Sequence, residues 1–320
     1  MSDIIGLVLP FFGMIFLGAL VARITRQPIE GLAWMNTFVV YVALPALFFL
    51  LVSRTPVEQL AQWSFILGSI AATYLVFGAM FLVSVFVQKD RVDESAIKGL
   101  AAAYGNIGYM GPGLALLAFG EDAAVPVALI FCFENMVHFA VAPMMMAIGG
   151  AATGSRAEIA IGVVRQIVLH PFIIATFVGV AFAFTGLSLP GPANQLLEYL
   201  SRAAAPCALF AMGVTLALRP LKRVPREVGA IVALKLLVHP LACYVILSAI
   251  GDFPPDWIFV AMLMAALPTA TNVFVIGQQY GVWVQRASAS VLLTTVFSVA
   301  TVTALLFAIR SGLLPPDLFP

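Results

Sequence analysis

Tyr104-Gly105-Asn106-Ile107-Gly108-Tyr109-Met110-Gly111-Pro112-Gly113 lies in the middle of a long apolar segment. Four glycines and a proline at that place are hard to reconcile with an unbroken helix. Proline removes a backbone donor and clashes with the preceding turn, while glycine tolerates unwound backbone. A second interruption, Leu267-Pro268-Thr269-Ala270-Thr271-Asn272, occupies the corresponding place in the second half of the chain. Freed backbone groups inside a membrane must be satisfied by side chains, water or ligand. Interruptions in matching spans are the best sequence pointer to a binding site.

The membrane itself follows from composition. Of 320 residues 62% are hydrophobic and 10% charged, whereas a soluble domain carries roughly 25% charged residues. Ile4 to Ala22 and Ser64 to Gln88 contain no charge. Runs of that length cross a hydrocarbon core of about 30 Å at about 1.5 Å per residue. The ten-residue alternation of a β-barrel is absent, so the spanning structure is helical. Hydropathy and Gly, Pro and charge breaks give ten segments near 4–22, 32–53, 60–87, 96–118, 123–149, 160–185, 193–217, 227–250, 257–279 and 287–309. Every connection is too short for a soluble domain. The first run follows Asp3 without a basic residue and reads as a span, not a signal peptide. A net charge of +1 without a basic cluster gives no sign of a nucleic-acid partner. Cys132, Cys207 and Cys243 sit unpaired in apolar segments and read as packing residues, with no metal site.

Basic residues orient the chain. The loops after spans one, three, five, seven and nine hold Arg23, Arg26, Lys89, Arg91, Lys98, Arg156, Arg165, Arg219, Lys222, Arg223, Arg226 and Arg286. The opposite loops and the termini hold only Arg54 and Arg310. Lys and Arg stay cytoplasmic, so both termini are expected outside. Trp34, Trp63, Trp257 and Trp283 fall near span ends, as an interfacial belt requires.

The two halves resemble each other. Pro10, Phe11, Phe16 and Gly18 in span one match Pro171, Phe172, Phe177 and Gly179 in span six at one offset of 161 residues. Pro45 and Phe49 in span two match Pro206 and Phe210 in span seven at the same offset. Ten spans then divide into repeats over 1–155 and 156–320. Five is odd, so the second repeat enters the membrane with opposite polarity, the inverted-topology construction of secondary transporters. Spans four and nine run antiparallel, and two helices unwound at mid-depth can cross at their breaks. The half-helices beginning after each break aim amide ends at the crossing. Each such end carries about half a positive charge, which suits a carboxylate. Asn106 and Asn272 can donate to that carboxylate or accept from an unwound amide. Ordinary proline kinks with capping Asn side chains are the bland alternative; matching breaks in two related spans favour a site.

At these residues the chain resembles the auxin efflux carrier family. The resemblance is carried by Asn36 with Tyr41-Val42-Ala43-Leu44-Pro45-Ala46-Leu47-Phe48, by Asn106-Ile107-Gly108-Tyr109-Met110-Gly111-Pro112, and by Pro268-Thr269-Ala270-Thr271-Asn272 through Tyr280-Gly281. It runs the full length of the chain. The family includes the plant PIN auxin exporters and proposed bacterial malonate carriers, and its fold is related to the bile-acid sodium symporters. The resemblance implies an all-α polytopic membrane protein with ten helices in two inverted five-helix repeats and crossed broken helices 4 and 9. Spans 1, 2, 6 and 7 would form a scaffold, and spans 3–5 and 8–10 a moving transport unit. It also implies a homodimer joined through the scaffold, in a bacterial inner membrane, that moves organic anions by an elevator-type displacement. The long mid-chain hydrophilic loop of plant members is missing, since residues 150–160 connect the halves directly.

The expected substrate site is therefore Asn106, Gly108, Gly111, Pro112, Pro268, Thr269, Thr271 and Asn272. Glu134 lies near the middle of span five, followed by Asn135 and, a turn on, His138. A charged carboxylate at mid-bilayer costs about 2.5–3.5 kcal/mol or more. These three residues are candidates for coupling to a proton or a sodium ion. The bland reading makes Glu134 a neutral, hydrogen-bonded acid or a partner of His138. Lys235 in span eight is expected to snorkel to the cytoplasmic surface, with His239 one turn on. Glu198 and Arg202 are spaced to pair locally. His170 before Pro171 is expected to cap backbone, and Met144-Met145-Met146 to face lipid or pack.

No zinc-protease helix, nucleophile elbow or pair of catalytic aspartates is present in the sequence, which argues against an enzyme. A channel has no need of paired broken helices in an inverted repeat. A sodium/proton antiporter or sodium-coupled symporter of the same architecture is the main alternative. The expected substrate is a carboxylate or dicarboxylate such as malonate or malate, or an auxin-like acid, with no cofactor beyond a coupling ion.

Overall fold

The computed structural model describes residues 2–151, 155–218, 226–251 and 253–319. Arg219, Lys222 and Arg223, used above to orient the chain, lie outside these residues. Among the described residues every regular element is helical, as a backbone that must satisfy itself in lipid requires. In chain order the longer ones are α1 (Ser2–Thr25), α2 (Ile29–Ser53, with a π turn at Val39–Ala43), α3 (Trp63–Leu82, continued by a π turn to Gln88), α4 (Val92–Ala103), α5 (Gly111–Phe119), α6 (Ala124–Ile148), α7 (Arg156–Val168), α8 (Pro171–Thr185), α9 (Gly191–Leu218), α10 (Glu227–Ile250, with a π turn at Leu234–Val238), α11 (Pro255–Ala266), α12 (Thr271–Tyr280) and α13 (Val284–Arg310).

Among the described residues seven helical runs are long and apolar enough to cross a bilayer, and α7 with α8, bent by 55°, makes an eighth. The bend falls at His170, held extended before Pro171. The chain is thus an integral membrane protein with several apolar spans. The remaining two of the ten predicted segments are split. Tyr104–Met110 separates α4 from α5, and Leu267–Ala270 separates α11 from α12. The resulting pieces of 12, 9, 12 and 10 residues are each about 14–18 Å long, too short to cross alone.

The chain divides into two compact units. The first comprises Met1–Gln62, Gly108–Cys132 and Val168–Pro220. In it α1 packs along α9 and α2 along α8. Small residues set these approaches, as is usual where lipid supplies no hydrophobic drive. A β-carbon on Gly18 would collide with the carbonyl oxygen of Phe210, and one on Gly179 would stand 3.1 Å from that of Phe49. Gly213 meets the Ile15 carbonyl in the same way. Phe48 stacks on Phe131 with centroids 3.8 Å apart, and Phe131 leans on Phe172 at 4.4 Å. His170 does not cap α8 with its side chain; its ring lies against Phe172, centroids 3.9 Å apart. Glu198 pairs with Arg202 at 3.9 Å, as their spacing predicts, and more closely with Arg54 at 2.8 Å, which also donates to Asn194 one turn away.

The second unit comprises Trp63–Ile107, Phe133–Ile167 and Leu221–Pro320. Here α3 packs on α4 and α10, α10 on α11, and α12 on α13. Trp257 is buried edge-on to Phe65, and buried Trp283 lies beside Lys98. Only Trp34 and Trp63 are exposed as a membrane belt expects; the other two fill interior space. A charged cluster ties the start of α4 to its neighbours. Lys98 Nζ meets Asp90 at 2.5 Å and Glu94 at 3.2 Å, and Arg286 bridges Glu94 and Glu227 at 3.2 and 3.0 Å. Burial pushes the Asp90 carboxyl up, but hydrogen bonds from Lys98 and Ser84 outweigh it and hold it below the ordinary carboxylate range.

Candidate functional site

The two unwound segments meet inside the second unit. The amide of Asn106 donates to the carbonyl of Pro268 at 2.8 Å, and that of Ala270 to the carbonyl of Tyr104 at 2.9 Å. Gly105 and Thr269 thus sit opposite each other in an isolated antiparallel bridge. Prolines and glycines stop the helices, and the bridge replaces two of their lost backbone bonds. Side chains complete the closure. Thr269 donates its hydroxyl to the Ala101 carbonyl at 2.6 Å, and its amide donates to Thr294 Oγ1 at 3.0 Å. Lys235 donates to the Ala265 carbonyl at 2.5 Å. Both carbonyls lie in the last turns of helices entering the bridge, α4 and α11.

A polar hub lies beside the bridge. Tyr104 donates its hydroxyl to Asn135 Oδ1 at 2.5 Å and accepts from Asn272 Nδ2 at 2.8 Å. Its ring stacks on His138 with centroids 3.9 Å apart. His138 Nδ1 pairs with the Tyr74 hydroxyl at 2.9 Å, while buried Nε2 has no hydrogen-bond partner. Ala270 occupies the N-cap of α12 and has no side-chain acceptor to offer. The first turn of α12, opening at Thr271 and Asn272, therefore has no side-chain cap from its N-cap residue.

Glu134 is 5% exposed. Thr73 donates to its Oε1 at 3.2 Å and lies 3.0 Å from His239 Nε2, and His239 Nδ1 lies 3.0 Å from Lys235 Nζ. Lys235 is fully buried. The expected snorkelling does not occur, because its ammonium is held on a helix-end carbonyl. Nor is His138 the partner of Glu134, since its engaged nitrogen belongs to Tyr74.

A sequence profile described as "Membrane transport protein", Mem_trans, matches residues 3–306. The chain belongs to that family, the auxin efflux carriers. It is 62% identical, over all 320 residues and the whole of both chains, to a Rhizobium meliloti (strain 1021) protein named "Putative malonate transporter". It is 25% identical over 274 residues, 85% of this chain and 87% of the other, to an "Uncharacterized transporter" of Methanothermobacter thermautotrophicus. Escherichia coli "Uncharacterized transporter YfdV" is 22% identical over 310 residues, 96% of this chain and 98% of its own. The family is one of membrane transporters, not of enzymes.

In this family member the residues predicted from sequence divide in two. Asn106, Glu134, Asn135, His138, Pro268, Thr269, Thr271 and Asn272 all belong to the second unit. Asn106 contributes a backbone rung, while Asn135 and Asn272 meet through Tyr104. Thr269 is fully buried, and its hydroxyl proton is committed to the Ala101 carbonyl, a structural role. Thr271 opens α12. Gly108, Gly111 and Pro112 fall in the first unit, where Gly108 abuts the Phe131 ring and Gly111 and Pro112 begin α5. Sequence reasoning passed over Tyr104, Thr73 and Tyr74, whose hydroxyls are unremarkable in an apolar helix until their partners are known.

Proposed function

We propose that the chain is a secondary active transporter of a small organic anion, a dicarboxylate such as malonate, bound where residues 104–106 meet 268–270. The antiparallel bridge beside the uncapped start of α12 carries this reading. A helix start supplies two or three amides and about half a positive charge, enough to hold one carboxylate. Asn272 supplies a side-chain amide at the same place. The malonate in the name of a relative 62% identical over its full length supports the substrate class.

Alternating access by an elevator-type displacement follows from this reading, with ten spans in two inverted repeats. Its support is the 161-residue offset, at which the residues matched in sequence also meet. Gly18 faces Phe210, and the counterpart Gly179 faces the counterpart Phe49. Spans 1, 2, 6 and 7 form the scaffold of a homodimer, in a bacterial inner membrane with both termini outside. Spans 3–5 and 8–10 carry the substrate. This assignment differs from the compact units over Gly108–Cys132, which cluster with the first unit. Glu134, Asn135 and His138 couple the cycle to an ion. A sodium/proton antiporter is the second reading, favoured by buried Glu134. Counterflow of radiolabelled malonate in proteoliposomes separates the two. Saturable counterflow supports the anion carrier, and sodium-proton exchange without any organic acid supports the antiporter.

A further inference from the structure

Broken-helix transporters coordinate their coupling cation with unwound carbonyls and with the C-terminal ends of half-helices. At this bridge one carbonyl at each such end is taken by a side chain of the chain. Thr269 Oγ1 takes the Ala101 carbonyl of α4, and Lys235 Nζ takes the Ala265 carbonyl of α11 at 2.5 Å. A cation is favoured at a helix C-terminus, and Lys235, when protonated, places one there. Space around it is closed, since even a β-carbon on Gly105 would stand 3.2 Å from Nζ.

A buried ammonium needs a counter-charge. Glu134 supplies it through a directed chain of hydrogen bonds. As an ammonium, Lys235 can only donate, so His239 Nδ1 accepts from it. The neutral ring then carries its proton on Nε2 and donates to Thr73 Oγ1, leaving the threonine hydroxyl to donate to Glu134 Oε1. The surrounding titratable groups are Tyr74 on α3, Tyr104 after α4, His138 on α6 and Cys243 on α10.

We propose that Lys235 is the built-in cation of the crossing, standing where other broken-helix carriers bind sodium, with Glu134 as its counter-ion through His239 and Thr73, so that this carrier works without sodium. The chain also lets the pair neutralise itself. An Nζ–H bond breaks as Nδ1–H forms on His239, Nε2 gives its proton to Thr73 Oγ1, and the threonine proton passes to Glu134 Oε1. The products are a neutral amine, the other imidazole tautomer and a carboxylic acid, with no proton gained or lost. The proposal rests on the transporter reading for its consequence but not for its test.

The test uses the purified full chain in detergent and follows thermal unfolding in about 100 mM sodium chloride or choline chloride, at equal screening. The wild type is expected to shift by less than about 1 °C between the two salts, a small fraction of what binding at many times Kd would produce. K235M should lower Tm by about 5 °C or more, and E134Q/K235M should recover at least half of that loss, because the unpaired buried carboxylate is gone. A sodium-dependent rise of several degrees in the wild type overturns the proposal, as does strict additivity of K235M and E134Q. If K235M does not fold, the sodium arm on the wild type decides alone. None of these readouts needs an organic anion, so their failure leaves the malonate reading standing, and absent malonate counterflow leaves them untouched.

Discussion

Gly105 faces Thr269 across the bridge, and the side-chain space at Gly105 is taken by Lys235 and by the Met264 carbonyl, each 3.2 Å from where a β-carbon would lie. Glycine here serves close approach and not a left-handed turn. Gly105→Val should therefore cost about 1–3 kcal/mol by overpacking and lower Tm. Gly229→Ala, on an open helix face, should leave stability equal or raise it by about 0.5–1 kcal/mol. Parallel melts of the two variants check this; equal melting points would mean that the bridge tolerates a side chain.

Thr269→Val keeps the shape and removes the proton that satisfies the buried Ala101 carbonyl. An orphaned buried acceptor costs about 1–3 kcal/mol. Thr269→Ser keeps the bond and should lose far less. Chemical denaturation of both variants tests the difference, and a loss in Thr269→Val no larger than that in Thr269→Ser would remove the hydroxyl bond from the account.

The helix pairs of the first unit make a symmetric prediction. Gly18→Val and Gly179→Val place bulk against the backbone at Phe210 and Phe49 respectively. Both should reduce folded yield, whereas Gly13→Val, on the same helix as Gly18 but with nothing near its β position, should not. Size-exclusion yield of the three variants is the readout; if Gly179→Val behaves like Gly13→Val, the reciprocal packing is wrong.

Asp90 titrates below its ordinary range when folded, despite burial, because Lys98 and Ser84 bond the carboxylate. A depressed folded value contributes stability above the unfolded value of about 3.9 and loses it as pH falls through the folded one. Wild-type Tm should thus drop below about pH 4 more steeply than that of Asp90→Asn. Identical acid limbs in the two melting profiles would remove Asp90 from the account.

Much of this arrangement was legible in the residues. The Gly and Pro clusters at 105–113 and 268 mark the breaks, since helix interiors exclude them, and the matched Gly18 and Gly179 reflect real close approaches. Hydropathy also marked the apolar runs. It erred at Lys235, because the distance of a lysine from a span end does not reveal a carbonyl waiting at a neighbouring helix terminus. It erred at Trp257 and Trp283 for the same reason: a tryptophan near an end is amphipathic in either setting, and only packing decides. Thr269 looked like a ligand-binding hydroxyl because a sequence cannot say that Ala101, 168 residues away, claims its proton first. Tyr104 carried no signal beyond its place beside the break.

The central claim is that an anionic substrate binds beside the bridge, on the start of α12 and the hub of Tyr104 and Asn272. Equilibrium binding of radiolabelled malonate to purified wild type, Asn272→Ala and Tyr104→Phe tests it most directly. Saturable binding by the wild type, weakened about tenfold or more in Asn272→Ala and severalfold in Tyr104→Phe while both variants remain folded and monodisperse, is the predicted result. Malonate affinity left unaltered by both substitutions would contradict it.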